Sequence, residues 1–311
     1  MSKSTKKLIA VVGPTGSGKT ELAVKLAQVF DGVIISADSR QIFRRLDVGT
    51  NKVGENGHWP FDSAQGENDQ PARIIEQVPQ LMIDIAAPEE RFTLTDWLEK
   101  TRILTEQIWQ NDQLPIVVGG TGLYVTALLE GYQPGGEAPE LRVKLEKLPL
   151  SELQDRAAHL DLNDSDYQNP SRIIRALEQE VAGASQKIAV DFEALVLQPT
   201  VELENLYQRS DDRYEQIFDA LIFEVKTLMA DGVSTGWLES IGLDYRYASY
   251  FLTNKMSRQK AILEYQKAAR AYIRRQLTWW RHHGPVIPVG NFEQASAEVR
   301  QFLKDHPNPV M

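Results

Sequence analysis

The sequence predicts an α/β fold: a doubly wound parallel sheet with a small helical insertion and a C-terminal helical region. Three observations predict it. Short apolar runs at 8–12, 33–35, 81–85, 114–118 and 194–197 alternate with helical patterns. The first run passes directly into Gly13-Pro14-Thr15-Gly16-Ser17-Gly18-Lys19-Thr20. After Leu203 the spacing turns helical almost throughout.

The glycine-rich stretch has the pattern G-x-x-x-x-G-K-T. A strand precedes it, and a helix with apolar Leu22, Ala23, Leu26, Ala27 and Phe30 follows it. That context makes Gly13 to Thr20 a phosphate-binding loop on a P-loop NTPase-like sheet. The glycines let backbone N–H groups close round an anion, and the new helix adds its positive end. Lys19 supplies a mobile point charge, and the Thr20 hydroxyl can help hold a magnesium ion. The loop suits a diphosphate or a triphosphate such as ATP and does not choose between them.

The second run, 33–35, ends in Ser36-Ala37-Asp38-Ser39-Arg40-Gln41. Ligands of open parallel sheets sit outside the carboxyl ends of strands, so Asp38 is expected beside the phosphate loop. Residues 41–46 read as a short helix. The polar stretch 51–70, with Gly54, Gly57, Pro60 and Gly66, reads as a long loop. A third strand is expected over 81–85, a helix over 92–111 and a fourth strand over 114–118. That strand runs into Gly119-Gly120-Thr121-Gly122-Leu123-Tyr124 and a helix to about residue 130.

Composition shifts at Pro134, Gly135, Gly136 and Pro139, which sets the expected domain limits. Residues 1–132, continued by 169–311, form the core; residues 133–168 form the insertion. A helix starts at Asn169 as N-cap, with Pro170 at its first position and Gly183 past its end. Arg172 and Arg175 share one of its faces. Arg209 and Arg213, four apart, share another. A long amphipathic helix is expected over 257–281, with Ile262, Tyr265, Ala269, Tyr272, Ile273, Gln276 and Trp280 on its inner stripe. Residues 286–289 read as a last, edge strand, because Pro288 cannot donate to a ladder.

The 311 residues are 42% apolar, enough for a substantial core. No run reaches the length of a membrane span, no signal peptide opens the chain, and there is no cysteine. A cytoplasmic, monomeric protein without membrane contact is expected. The net charge of −9 argues against a nucleic-acid partner, but its distribution argues for one. Between Lys255 and His283, eight basic residues face one acid, Glu264. A polyanion meets that local field.

Taken in order, these motifs resemble the tRNA dimethylallyltransferases, also called tRNA isopentenyltransferases. The resemblance rests on the phosphate loop, Ser36 to Gln41, Asp47-Val48-Gly49-Thr50, Ile83-Asp84-Ile85 and Val117 to Tyr124. It continues through Pro170-Ser171-Arg172-Ile173-Ile174-Arg175-Ala176-Leu177-Glu178, the Arg209 and Arg213 pair, Tyr245-Arg246 and Arg274-Arg275-Gln276-Leu277-Thr278-Trp279-Trp280. It covers most of the chain.

The resemblance implies transfer of a dimethylallyl group from dimethylallyl diphosphate to N6 of an adenosine beside the tRNA anticodon, with Mg2+. It implies that Asp38 is the general base and that Thr121 bonds at the reacting centre. Lys19, Thr20 and Arg213 would hold the diphosphate and its magnesium. Asp38, Ser39, Arg40 and Gln41, with Ser171, Arg172, Ile173, Ile174 and Arg175, would contact the tRNA. The chain departs from the family pattern at Asn51-Lys52-Val53, at Leu81-Met82, and at Asp244, where a glycine usually precedes Tyr245.

Other readings compete. Asp38 and Thr121 could cap helices. Asp84 resembles a Walker-B acid, which favours a small-molecule kinase or NTPase, but could equally be structural. Arg172 and Arg175 could form a solvated face, Arg213 could pair with Asp212, and the basic helix could be an ordinary exposed face. An RNA-binding paralogue without transferase activity is the third class. Trp279 and Trp280 suit core and interface anchoring better than base stacking, and His282 and His283 suit a helix end better than a metal site.

Overall fold

The computed structural model describes residues 6–60, 62–63, 66–67 and 70–304. Residues 1–5, 61, 64–65, 68–69 and 305–311, which belong to the expected core and long loop, lie outside the described residues. The chain divides into two compact units, residues 1–126 with 191–311, and residues 127–190.

In the large unit, β1 (Lys6–Val12) leads into α1 (Lys19–Phe30) and β2 (Gly32–Ser36). The expected helix at 41–46 is instead a run of turns, hydrogen-bonded to residues 84–86, with a bridge between Phe43 and Ala86. The expected loop at 51–70 instead contains β3 (Glu55–Trp59), the two-residue strands β4 (Asp62–Ser63) and β5 (Gly66–Glu67), and the start of β6 (Gln70–Ile75). The next strand, β7 (Val78–Leu81), stops short of residue 85 because Met82 and Asp84 take positive φ, 63° and 57°. Then come α2 (Leu94–Gln110), β8 (Leu114–Gly119) and α3 (Gly122–Leu129).

The small unit holds β9 (Tyr132–Gln133), α4 (Pro139–Leu145), α5 (Leu150–Arg156), α6 (Asp164–Tyr167), α7 (Pro170–Ala182) and β10 (Gln186–Lys187). Its limits differ from the expected 133–168. Helix α7 starts and stops where the sequence places it: Asn169 accepts from the Ser171 N–H and Gly183 closes the end. However, its apolar face, Ile173, Ile174 and Leu177, packs on Leu145, Leu153 and Ala157. Burying that face requires α4 and α5, so α7 belongs to the small unit. Glu178, fully buried, is held by Arg142 and, at 3.6 Å, by Arg175.

The chain returns through β11 (Phe192–Pro199) and continues as α8 (Leu203–Ala230), α9 (Thr235–Ile241), α10 (Leu243–Leu252) and α11 (Arg258–His282). It ends in β12 (Ile287–Val289) and α12 (Phe292–Lys304). The main sheet runs β12-β11-β1-β8-β2-β7-β6-β3. The strands from β12 to β7 are parallel, while β6 and β3 add an antiparallel extension. Strand β12 is an edge, as Pro288 predicts. Because β1 lies between β8 and β11, the connections diverge there, and the phosphate loop opens at that switch point.

Ile9, Val11, Ile34, Ile116 and Leu197 pack against Leu22 and Leu26 of α1 and Val299 of α12. Leu8, Ala10 and Val12 alternate onto the opposite face and are equally buried, so both faces of the sheet are covered. Trp97 of α2 is fully buried and donates its Nε1–H to the Ser36 carbonyl at 3.0 Å. Among the described residues, no helix is long and apolar enough to cross a membrane.

Trp97→Ala removes the largest buried side chain and leaves the Ser36 carbonyl without its donor. We expect a loss of about 3–5 kcal/mol of unfolding free energy. A urea midpoint shift at constant slope measures it.

Candidate active site

Three strand ends meet at one cleft of the large unit. The loop after β1 supplies Thr15 and Gly16, the loop after β2 supplies Asp38, and the turn after β8 supplies Gly120. Helix α8 adds Arg209 and Arg213, α10 adds Asp244, and α11 adds Tyr265, Tyr272 and Gln276. Together they enclose a cavity of about 190 Å³.

The phosphate loop has the backbone that its sequence requires. Gly13, Gly16 and Gly18 take φ of 132°, 80° and 83°, values that side-chain-bearing residues rarely adopt. Lys19 begins α1 and donates to the Pro14 carbonyl at 2.6 Å. Burial lowers its pKa to about 8, and the nearby charge of Asp38 opposes that shift.

Asp38 does two things. One carboxylate oxygen, Oδ1, accepts from the Arg40 N–H at 2.9 Å and the Gln41 N–H at 3.4 Å, so the residue does fix the following turn. Among the described residues, no protein donor reaches the second oxygen, and Asp38 lines the cleft. Thr121 precedes α3, but its hydroxyl accepts from the Ser39 N–H at 3.3 Å rather than from the helix. It therefore joins the turn after β8 to the turn that carries Asp38.

Gln276 joins a second pair of loops, those after β1 and β8. Its Oε1 accepts from the Thr15 N–H at 3.1 Å and its Nε2 donates to the Gly120 carbonyl at 2.9 Å. A Cβ on residue 120 would stand 2.5 Å from Nε2, so a larger residue there would displace the Gln276 amide. Nothing in the motif pattern marks Gln276 as a bridge. Its position as an amide on an otherwise largely apolar stripe is the signal that could have found it.

Arg209 donates to the Gly16 carbonyl at 3.1 Å, beside the phosphate loop. Arg213 pairs with Asp244 at 2.9 Å, not with Asp212, and donates to the Val48 and Gly49 carbonyls at 3.1 and 2.8 Å. Those carbonyls are themselves fixed. Glu224 accepts from the N–H groups of Asp47, Val48 and Gly49 and from the Tyr245 hydroxyl. Sequence reasoning missed Glu224, which no motif or spacing singles out. Tyr272 also lines the cleft, with the guanidinium groups of Arg40 and Arg275 5.8 and 5.7 Å from its ring centroid.

Asp84 is occupied elsewhere. It pairs with the fully buried Lys52 at 2.5 Å and with Arg73 at 2.7 Å. That engagement favours its structural reading over a Walker-B acid. The expected tRNA-contacting group on α7 divides. Ser171 and Arg172 are exposed, with Arg172 paired to Asp166. Ile173 and Ile174 are buried in the small unit's own core, and Arg175 is spent on the Gly135 and Gly136 carbonyls. The basic helix is partly compensated: Arg258, Lys267 and Arg270 pair with Asp219, Glu264 and Asp211. Trp280 is buried, and Trp279 stacks on His283 with ring centroids 3.9 Å apart.

Magnesium can be tested against these donors. Among the described residues there is no group of three or more His, Cys, Asp or Glu side chains able to hold a metal. A magnesium ion here would take most of its ligands from substrate phosphates and water, with the Thr20 hydroxyl at the start of α1 as a protein donor.

A family model described as IPP transferase matches residues 41–283, and one described as isopentenyl transferase matches residues 6–56. A tRNA dimethylallyltransferase of Citrifermentans bemidjiense is 33% identical, over 96% of this chain and 97% of the relative. The full-length tRNA isopentenylpyrophosphate transferase of Bacillus halodurans, 28% identical, superposes with a TM-score of 0.67 over 96% of each chain. A eukaryotic dimethylallyltransferase acting on tRNA shares the fold, with a TM-score of 0.72 at 21% identity. With its phosphate loop, Asp38 turn and arginine-lined cleft in the order of that family, the chain belongs to the tRNA dimethylallyltransferases.

Proposed function

We propose that this protein transfers the dimethylallyl group of dimethylallyl diphosphate to N6 of an adenosine adjacent to the anticodon of tRNA. The observation that carries this reading is the meeting of the phosphate loop and Asp38 in one arginine-lined cleft, in a chain of this family. In the step, N6 of adenine bonds to C1 of the prenyl group and the C1–O bond to diphosphate breaks. The proton leaving N6 goes to Asp38. Diphosphate departs with the bonding pair.

An exocyclic amine is a weak nucleophile, so removing its proton as the bond forms lowers the barrier. The second oxygen of Asp38 is the acceptor, while its first oxygen holds the turn in place. Lys19, the loop N–H groups and Arg213 face the charge that grows on the leaving diphosphate. Thr20 would hold Mg2+ carried in with the diphosphate, which supplies further neutralisation of that charge. The family resemblance assigns Thr121 to the reacting centre, and its hydroxyl accepts from the Ser39 N–H beside the turn that carries Asp38.

The adenine must leave its stack to reach the cleft, where the Tyr272 ring and the Arg40 guanidinium offer flat surfaces on which a base can stack. For the tRNA backbone, Asp38 to Gln41 offer their turn. Ser171 and Arg172 offer a hydroxyl and a guanidinium, while Ile173, Ile174 and Arg175 fix the helix that presents them. Lys260 and Arg281 of the basic helix are exposed cations.

The direct test incubates the protein with magnesium, dimethylallyl diphosphate and unmodified tRNA, and looks by mass spectrometry for a prenylated adenosine. We expect product from the parent. Asp38→Asn should transfer about 10²–10⁴-fold more slowly while still binding diphosphate. Absence of product across a full set of tRNAs would overturn the assignment.

The lowered pKa of Lys19 predicts a pH dependence. Its cationic form binds the anion, so diphosphate affinity should hold below about pH 8 and fall as pH rises through that value. The fall should approach tenfold per pH unit until the pKa of the bound form is reached. Isothermal titration with inorganic diphosphate at fixed magnesium measures it. Lys19→Arg, which stays charged, should flatten the profile.

A further inference from the structure

The side chain of Arg213 is nearly saturated by the protein itself. One Nη1 hydrogen goes to Asp244 and both Nη2 hydrogens go to the Val48 and Gly49 carbonyls. The Nε–H is buried and has no acceptor. One Nη1 hydrogen is therefore left for a ligand, and the charge behind it is matched by a carboxylate only 2.9 Å away.

The three acceptors are not equivalent. The two carbonyls cannot move independently, because Glu224 holds the N–H groups of the same short loop, and the Tyr245 hydroxyl holds Glu224. Gly49 is also pressed against the Tyr245 ring, where a Cβ would stand 2.6 Å from it. Asp244 lies in the first turn of α10, next to this anchored tyrosine, and it supplies the charged acceptor of the three. Its side chain is about one-fifth exposed, and like Arg213 it lines the cleft. An entering diphosphate meets an arginine already paired, beside a carboxylate of its own sign.

We propose that Asp244 is a positioning residue that competes with diphosphate for Arg213. It holds the guanidinium in place and masks its charge in the free protein, and it takes that charge back when diphosphate leaves. This rests on the reading of the cleft as a prenyl diphosphate site. Burying an arginine without a counter-ion is costly, so the pair stabilises the free fold at the expense of anion affinity. The two effects of removing the carboxylate therefore have opposite signs, which a purely structural ion pair does not produce.

The test compares the parent with Asp244→Asn, which keeps the shape and an acceptor oxygen but removes the charge. Binding of inorganic diphosphate with magnesium is measured by calorimetry, and the melting temperature is measured without ligand. We expect the variant to melt at a lower temperature and to bind diphosphate more tightly, by roughly five- to fiftyfold. In an Arg213→Gln background, the same substitution should lose most of that gain, because Asp244 acts through Arg213. Asp244→Ala, which removes the acceptor as well, should show the same two signs and covers the case in which the asparagine folds poorly.

Parent protein that binds diphosphate, with a variant that binds no tighter, overturns the proposal and leaves the function intact. An equal gain in the Arg213→Gln background also overturns it, since the carboxylate then acts by direct repulsion. Failure of the parent to bind diphosphate at all overturns the reading of the cleft, and the proposal with it.

Discussion

The buried amide of Gln276 is the tie on which the cleft depends. Thr15 and Gly120 end two different strands, and neighbouring strand ends do not by themselves fix the loops that follow them. Gln276 offers one acceptor and one donor, and it takes Thr15 with the first and Gly120 with the second. Its residue stands 261 positions from Thr15 and 156 from Gly120. A charged side chain could not serve both a donor and an acceptor, and an apolar one would leave both buried groups unpaired. Through this contact the long helix α11 becomes part of the phosphate site. Thr121 makes the corresponding link between the β8 turn and the Asp38 turn, so the three strand ends form one hydrogen-bonded rim.

The opposite wall follows the same logic with charge. Glu224 gathers three backbone N–H groups of the loop at 47–49, and that loop turns its carbonyls toward Arg213. A carboxylate that accepts several backbone N–H bonds is a strong, oriented anchor. The outcome is a guanidinium whose position is set before any ligand arrives. Preorganised donors of this kind are what a reaction with a charged leaving group requires.

Charge elsewhere is spent on structure. Lys52, Arg73, Asp47 and Asp84 form a compensated cluster that fastens the hairpin of β3 and β6 to the turn after β7. Lys52 is fully buried, so its charge is tolerable only because two carboxylates face it. The basic stripe of α11 is neutralised in part by Asp211 and Asp219 of α8. The Arg258–Asp219 pair is exposed, and exposed pairs are weak and exchange partners readily, so it does not prevent a polyanion from binding. These pairs do mean that a count of basic residues overstates the field such a partner meets.

Local signals in the sequence determined the parallel core, the phosphate loop, the caps of α7, the edge position of β12 and the family. Each of these rests on short-range chemistry: apolar runs, glycine freedom, N-cap side chains and a proline without an N–H. The hairpin at 55–75 was not legible, because Gly54, Gly57, Pro60 and Gly66 read as loop punctuation. Those residues become strands only by adding to the exposed edge beyond β7. The limits of the small unit were illegible for a related reason. The caps of α7 are local, but the partner for its apolar face is chosen by packing, and Ile173 and Ile174 are core residues rather than contacts for that reason. The residues of the cleft could be named from motifs, whereas their partners could not. Asp244 for Arg213, Glu224 for the 47–49 loop and Gln276 for two strand ends are contacts between distant segments, and only the tertiary fold brings those segments within hydrogen-bond reach.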